Sequence, residues 1–303
     1  MSPTLLAGFL CKVQLNWEVL LKPCLFDYNK PSTLEDALAI LDTQPNSVVL
    51  AGGQSLVAML NMRLVAPSHL VDINGLAPLE EIAINEGWLQ IGALVRHCDI
   101  INSKMVSESA PLISQAVHHI GHPAIRNRGT IGGSLVLADP AAELPACLIA
   151  LGGKLEVDSL KGTRKIDAAD FFVGSFETQL KHGEILRTVQ IPVLAPGHRT
   201  EFDELARRHG DYALAGLAAH GRIDNGRAYD LRLAFFGAGA KPTLAFATAQ
   251  YLEGKELSEE NIAEASTLIA YDITPVSQPG CSEQTKLHHC RVLVKRVLQR
   301  MAA

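Results

Sequence analysis

Two short glycine-bearing segments, each joined to apolar chain, limit what this sequence can fold into more than any other feature. The first spans residues 50–56 (LAGGQSL) and the second spans residues 130–134 (TIGGS). Glycine has no Cβ, so the backbone there can approach a ligand closely and turn its N–H groups toward it. Consecutive N–H groups bind anions, and a serine or threonine hydroxyl adds a neutral donor. The pair predicts a site that clamps a diphosphate; the alternative is that both segments are only tight turns.

The motifs of other nucleotide sites are missing, and the composition excludes several classes of protein. The sequence has neither the Gly-Lys-Ser/Thr of a P-loop nor the G-x-G-x-x-G of a Rossmann domain. With 27 basic and 32 acidic residues the net charge is −5, which argues against nucleic-acid binding. No apolar run approaches the ~20 residues that a membrane-spanning helix needs. The six cysteines lack zinc or iron–sulfur spacing, so we expect reduced thiols in a cytoplasmic protein.

Hydropathy patterns divide the chain into an extension and two domains. No Lys or Arg precedes the first apolar stretch, so we expect residues 1–21 to be an extension or an overlong start, and not a signal peptide. Residues 22–197 predict one domain, with α/β subdomains over about 22–77 and 78–197. Residues 198–303 predict a second domain, in which strands over 215–223 and 229–236 flank the hairpin turn at residues 224–226 and helices follow.

Longer motifs around the glycine segments carry a resemblance to a known family. The segments are FDY (26–28), VLAGGQSL (49–56), NMRL (61–64), IRNRGTIGGS (125–134), ADPAAELP (138–145) and GDYA (210–213). In this order they resemble the FAD-binding medium subunit of molybdenum hydroxylases, the family of xanthine dehydrogenase and carbon monoxide dehydrogenase. The resemblance implies an α+β fold with a vanillyl-alcohol-oxidase-like (PCMH-type) FAD-binding domain of two α/β subdomains. A small C-terminal α+β domain with an antiparallel sheet and helices would follow it.

The resemblance also implies which residues bind FAD. Residues 51–55 and 130–134 would wrap the diphosphate through backbone N–H groups and hydroxyls. Glu143 would contact the adenosine portion and Tyr212 would lie beside the isoalloxazine ring, where a packed core tyrosine is the alternative. The implied cofactor-binding residues are Ala51, Gly52, Gly53, Gln54, Ser55, Leu56, Ile120, Thr130, Ile131, Gly132, Gly133, Ser134, Asp139, Glu143, Leu186 and Tyr212.

Several further expectations concern this site. FAD would be bound noncovalently, because no histidine lies in either segment in the setting used for covalent attachment. Some relatives carry a lysine near the position of Glu204, so the acid here puts a charge-tuning contact to the flavin in doubt. Gly132→Val is expected to abolish FAD binding and leave the fold largely intact. We predict no metal site, since His118 and His122 lack a third ligand, and no catalytic acid, base or nucleophile.

The implied function is electron transfer within a heterotrimeric molybdenum hydroxylase. A large partner would hold the molybdopterin centre and a small partner two [2Fe–2S] clusters, and FAD in this chain would pass electrons to an external acceptor. A dimer of heterotrimers is usual for the family. Two alternatives remain open: a stand-alone FAD-dependent oxidase of the same superfamily, and a cofactor-free scaffold subunit.

Overall fold

The first sheet carries the first glycine segment at the end of one of its strands. A computed structural model describes residues 22–303, so the predicted extension and Cys11 lie outside the described residues. Three parallel strands form this sheet in the order β1-β3-β2. Its elements are β1 (Asp27–Asn29), α1 (Leu34–Thr43), β2 (Ser47–Leu50), α2 (Leu56–Asn61) and β3 (His69–Asp72). Strand β2 therefore delivers the chain directly into residues 51–55.

The second sheet holds five antiparallel strands in the order β4-β5-β10-β6-β7, with helices packed against it. Its strands are β4 (Ile82–Asn85), β5 (Trp88–Gly92), β6 (Lys154–Ser159), β7 (Gly162–Asp167) and β10 (Ile185–Pro192). The helices are α3 (His97–Asn102), α4 (Lys104–Ser109), α5 (Pro111–Val117), α6 (Pro123–Arg126), α7 (Ile131–Leu137), α8 (Glu143–Ala150) and α9 (Ala168–Phe171). A short hairpin of β8 (Phe172–Gly174) and β9 (Glu177–Thr178) stands beside them.

The third sheet is antiparallel and has the order β11-β12-β13-β14. Its elements are β11 (His198–Leu205), β12 (Ala215–Asp224), β13 (Arg227–Phe236), β14 (Thr243–Leu244), α10 (Phe246–Leu252), α11 (Glu259–Asp272) and α12 (Glu283–Ala302). Apolar residues of these strands and helices share one core. The predicted strands-then-helices order is confirmed, whereas the boundaries at 22, 77 and 197 stay predictions.

Helix α8 joins the second and third sheets and fixes one wall of the site. Every residue from Glu143 to Ala150 is buried. Arg232 on β13 donates to the carbonyl oxygens of Ile149 (2.8 Å) and Ala150 (3.0 Å), which satisfies the C-terminal end of the helix. Glu143 is the first residue of the helix, at the opposite, N-terminal end. None of the helices between residues 22 and 303 is long and apolar enough to cross a membrane.

Candidate functional site

The two glycine segments meet although they lie far apart in sequence. A Cβ on Gly52 would collide with the carbonyl oxygen of Arg128 and would lie 2.9 Å from the Cα of Gly129. Arg96 ties the segments together, because its guanidinium donates to that Arg128 oxygen and, at 2.6 Å, to Oδ1 of Asn74. Asn74 in turn donates to the carbonyl oxygen of Ala51 at 2.8 Å. Close packing of the two backbones therefore requires a glycine at position 52.

A cavity of about 640 Å³ opens between these segments, α8 and the loop that carries Tyr212. Every site residue predicted from the sequence lines this cavity except Ile131. Ile131 is 1% exposed and packs in the main core, so its side chain does not line the cavity, and its implied contact with the cofactor stays a prediction. The structure thus brings the predicted set together around one space.

The first segment presents a row of unused backbone donors. Strand β2 ends at Leu50 and helix α2 begins at Leu56, with Ser55 as a cap that makes no side-chain hydrogen bond. Within residues 22–303, the N–H groups of residues 52–56 donate to no other protein group. Gly53 has φ +73°, a backbone conformation that L side chains rarely adopt. The segment therefore has the free donors that the predicted anion nest requires, and anion binding there stays a prediction.

The second segment differs from the prediction, because its backbone donors are already used. The N–H groups of Ile131 and Gly132 donate to the carbonyl oxygens of Val95 and Ala93, both at 3.0 Å. The Gly133 N–H donates to Oγ1 of Thr130 at 3.0 Å, a standard cap for helix α7. The Ser134 N–H donates to the Thr130 carbonyl oxygen at 3.1 Å. Only the Thr130 and Ser134 hydroxyls remain as donors from this segment.

The expectation for Gly132→Val is also overturned. A Cβ on Gly132 would lie 2.6 Å from both Cβ and the carbonyl oxygen of Ala93, so a side chain would strike the protein and not the diphosphate space. A Cβ on Gly133 would meet only Oγ1 of Thr130, at 2.9 Å, and Gly133 is exposed to the cavity. Gly133 is therefore the glycine of this segment at which an added side chain would enter the cavity.

Acidic groups and a tyrosine gather at one end of the cavity. Glu143 is 8% exposed, and burial, with smaller contributions from the charges of Glu204 and Asp139, raises its pKa to about 8. Glu143 therefore carries a proton at neutral pH. Tyr212 is 73% exposed, which excludes the alternative of a packed core tyrosine. Burial of its hydroxyl and the charges of Asp139 and Glu143 raise the pKa of Tyr212, so these three side chains share one end.

Glu204 lies behind the cavity wall and does not line the cavity. Its side chain is 4% exposed, and Oε1 lies 3.2 Å from Nδ1 of His119. Arg126 has a structural role, because its guanidinium donates to the carbonyl oxygens of Ile120 and Gly121, both at 3.0 Å. No group of three or more metal-binding side chains with suitable placement exists in the described residues.

Three further cavity residues escaped the sequence reasoning. His97 lies buried against the second segment, with no ring hydrogen bond. Phe176, at the tip of the β8–β9 hairpin, is 60% exposed with φ +57°, and its N–H donates to the carbonyl oxygen of Ala138 at 3.0 Å. Glu184 accepts two hydrogen bonds from Arg164, both at 2.7 Å. The spacing of residues in the sequence does not indicate that Phe176 has a positive φ or that the His97 ring is buried at the cavity.

Comparison with known proteins assigns both halves of the chain. The family model described as "FAD binding domain in molybdopterin dehydrogenase" matches residues 24–194. The model described as "CO dehydrogenase flavoprotein C-terminal domain" matches residues 200–301. The first of these covers the cavity described above except for the loop of Tyr212.

Relatives and solved structures match over nearly the whole chain. The 6-hydroxypseudooxynicotine dehydrogenase complex subunit alpha of Paenarthrobacter nicotinovorans is 39% identical, over 92% of this chain and 95% of that protein. The carbon monoxide dehydrogenase medium chain of Afipia carboxidovorans is 30% identical, over 93% of this chain and 98% of that protein. Quinoline 2-oxidoreductase from Pseudomonas putida 86 superposes with a TM-score of 0.89 at 36% identity, over 93% of this chain and 98% of that chain. The chain therefore belongs to the family of FAD-binding medium subunits of molybdenum-containing dehydrogenases.

Proposed function

We propose that this chain is the FAD-carrying electron-transfer subunit of a molybdenum hydroxylase. The observation that carries the proposal is one cavity that is lined both by residues 52–56, with their row of free backbone N–H groups, and by the hydroxyl-bearing Thr130 and Ser134. This donor set fits a diphosphate without requiring arginine, and in the described residues no arginine lines the cavity. The resemblance of both halves of the chain to a flavoprotein family supports the same cofactor.

The residues that line the cavity form two groups, one for the diphosphate of the cofactor and one for its isoalloxazine ring. The first segment and the hydroxyls of Ser55, Thr130 and Ser134 would hold the diphosphate. Tyr212 would cover one face of the isoalloxazine ring, and Ile120 and Leu186 would supply apolar contacts. Because Glu143 lies with Tyr212, we place its protonated carboxyl at the flavin end and not at the adenosine end.

The protein's own contribution is to bind and orient the cofactor. When bound, FAD supplies the redox chemistry, accepting electrons one at a time and releasing them singly or in pairs. No side chain is assigned as acid, base or nucleophile. FAD would be held noncovalently, since neither glycine segment contains a histidine to which it could be attached.

The electrons would reach this chain from partner subunits. Relatives carry names such as "complex subunit alpha" and "medium chain", which supports assembly with other chains. We propose a large molybdopterin-binding subunit, a small subunit with two [2Fe–2S] clusters, and a dimer of such heterotrimers. Reduced thiols at Cys24, Cys98, Cys147, Cys281 and Cys290 support a cytoplasmic location.

The test is an absorption spectrum of the purified full chain, followed by acid precipitation and identification of the released chromophore. One FAD per chain in the supernatant supports the proposal and its noncovalent binding. A colourless chain that takes up no added FAD supports the scaffold alternative. Flavin reduction by a small substrate without any partner subunit supports the stand-alone oxidase.

A further inference from the structure

Lys286 on helix α12 is a buried lysine with an unusual hydrogen-bond partner. The residue is 3% exposed, and its Nζ donates to the carbonyl oxygen of Gly237. Within residues 22–303 it forms no ion pair with a carboxylate. Burial lowers the pKa of Lys286, against smaller opposing contributions from Cys281 and Cys290. A buried amino group is costly to keep, so its contact with Gly237 needs an explanation.

Gly237 is the first residue of a short connection that contacts two loops of the cavity. Residues 237–240, which we call the 237–240 segment, follow strand β13. Gly237 has φ +71°, and its N–H donates to the carbonyl oxygen of Pro140 at 2.7 Å. A Cβ on Gly237 would lie 3.0 Å from the carbonyl oxygen of Ala213, so the two backbones are closely packed there. Lys286 thus holds the residue at which these two loops meet.

The other end of the 237–240 segment contacts a third loop. The hydroxyl of Ser175, at the tip of the β8–β9 hairpin, donates to the carbonyl oxygen of Ala240 at 2.9 Å. The three loops that the segment contacts therefore come from different parts of the sequence. Each contact lies next to a residue that lines the cavity, and these cavity residues are Asp139, Phe176 and Tyr212.

The 237–240 segment serves only one end of the cavity. Asp139 and Tyr212 belong to the end at which we place the isoalloxazine ring. Within the part of the chain that the structure describes, the hydrogen bonds of the 237–240 segment reach neither residues 51–56 nor residues 130–134. The donors proposed for the diphosphate are therefore independent of it.

We propose that Lys286 is a positioning residue for the isoalloxazine ring: by holding Gly237, it fixes the three loops that bring side chains to that end of the cavity. Lys286 does not line the cavity, so it acts through these loops and not by contact with the cofactor. The inference rests on the proposed function, since it needs FAD in this cavity. It requires an effect on the flavin ring that is separate from any effect on the diphosphate.

Substitution at Lys286 in the full chain tests this separation. Lys286→Met removes the amino group and keeps a side chain of similar length. We expect the Kd of FAD to rise by about 3- to 30-fold, while the Kd of ADP, which has no isoalloxazine ring, stays within about twofold of wild type. The absorption and visible circular dichroism spectra of the bound flavin should also change, which a loss of stability alone would not cause.

Thr248→Val is a matched control. Thr248 on helix α10 is fully buried and lies outside the cavity, and its hydroxyl donates to Oδ2 of Asp272 at 2.7 Å. Its substitution also removes a buried hydrogen bond, so it should lower the free energy of unfolding and leave both Kd values and the flavin spectra unchanged. If folded Lys286→Met has the Kd values and spectra of Thr248→Val, the inference is refuted.

Hydrogen–deuterium exchange of the wild-type full chain tests the inference without any variant that has to fold. Coupling between two sites is reciprocal, so a flavin ring positioned through the 237–240 segment should in turn stabilise that segment. FAD should slow the exchange of residues 237–240 by about threefold or more relative to ADP, and should leave residues 224–226 unaffected. A chain that binds FAD, yet exchanges residues 237–240 equally with FAD and with ADP, refutes this inference but not the proposed function. A chain that binds neither ligand refutes both.

Discussion

Alanine substitutions at the adjacent residues Gly132 and Gly133 should affect different properties, the first the stability of the fold and the second the binding of FAD. We expect Gly132→Ala to destabilise the protein, because the new Cβ would lie 2.6 Å from Cβ and the carbonyl oxygen of Ala93. We expect Gly133→Ala to fold normally and to bind FAD more weakly, because its Cβ would meet only Oγ1 of Thr130 and would otherwise enter the cavity.

The magnitudes follow from these contacts. Overpacking a core position costs about 1–3 kcal/mol, and loss of the Gly132 N–H bond to Ala93 adds roughly 1 kcal/mol. The higher helix propensity of alanine raises the free energy of unfolding by up to about 1 kcal/mol when it replaces glycine in a helix. Gly132→Ala should therefore lower the free energy of unfolding by about 2 kcal/mol. At Gly133 the weakened Thr130 cap, worth about 1 kcal/mol, and the helix propensity offset each other.

Urea unfolding of the cofactor-free chains and titration with FAD measure the two effects independently. Gly133→Ala should keep the wild-type unfolding midpoint while its Kd for FAD rises about tenfold or more, equivalent to roughly 1.4 kcal/mol. A Gly132→Ala chain with wild-type stability would show that Ala93 does not restrict this position. A Gly133→Ala chain with wild-type FAD affinity would show that the second segment does not face the cofactor.

Two further predictions concern the acidic end of the cavity. Because the folded-state pKa of Glu143 is raised to about 8, the unfolded chain loses this proton at lower pH than the folded chain does. The free energy of unfolding should therefore fall by a few kcal/mol as pH rises from about 4.5 to 8. In a comparison of cofactor-free chains, Glu143→Gln should lack the part of this decrease that Glu143 causes. Tyr212→Ala should keep one FAD per chain, yet change the absorption spectrum of the flavin and the rate at which it is reoxidised. Tyr271→Ala is the control, because Tyr271 is 83% exposed and lies outside the cavity. It should change neither the spectrum nor the rate. An unaltered spectrum and rate in Tyr212→Ala would leave Tyr212 no role at the flavin.

Local signals in the sequence predicted most of the fold. The turn at residues 224–226 positioned the hairpin of β12 and β13 within two residues of its observed ends. The cap of the first helix is less easily predicted: Ser32 and Glu35 have the spacing of a capping box, but the cap is Thr33, whose hydroxyl accepts from the Asp36 N–H at 3.1 Å. Strand β11 was not predicted, because it is a sheet edge in which charged residues alternate with only a few buried ones.

The sequence pointed to residues that line the candidate site, but it did not reveal the contacts that those residues make with one another. Both glycine segments were identified, but the reason for each glycine depends on a partner distant in sequence. Gly52 packs on Arg128 and Gly132 packs on Ala93. Whether an N–H group is free or bonded depends on these same partners, so the different states of the two segments could not be deduced from sequence spacing. His97 escaped notice for the same reason.

The acidic residues of the cavity need an explanation, since the proposed ligand is an anion. Burial raises the pKa of Glu184, but hydrogen bonds from Arg164 and from the Lys181 N–H outweigh it and lower the pKa, so this carboxylate is ionised and neutralised by its partner. Glu143 is neutral for the opposite reason, because burial keeps it protonated. Two of the four acidic side chains that line the cavity are therefore neutralised by different means, one by an ion pair and one by a retained proton. The count of acidic residues around the cavity thus overstates its negative charge, and Lys181 offsets part of what remains, which favours a diphosphate held by a row of neutral backbone donors.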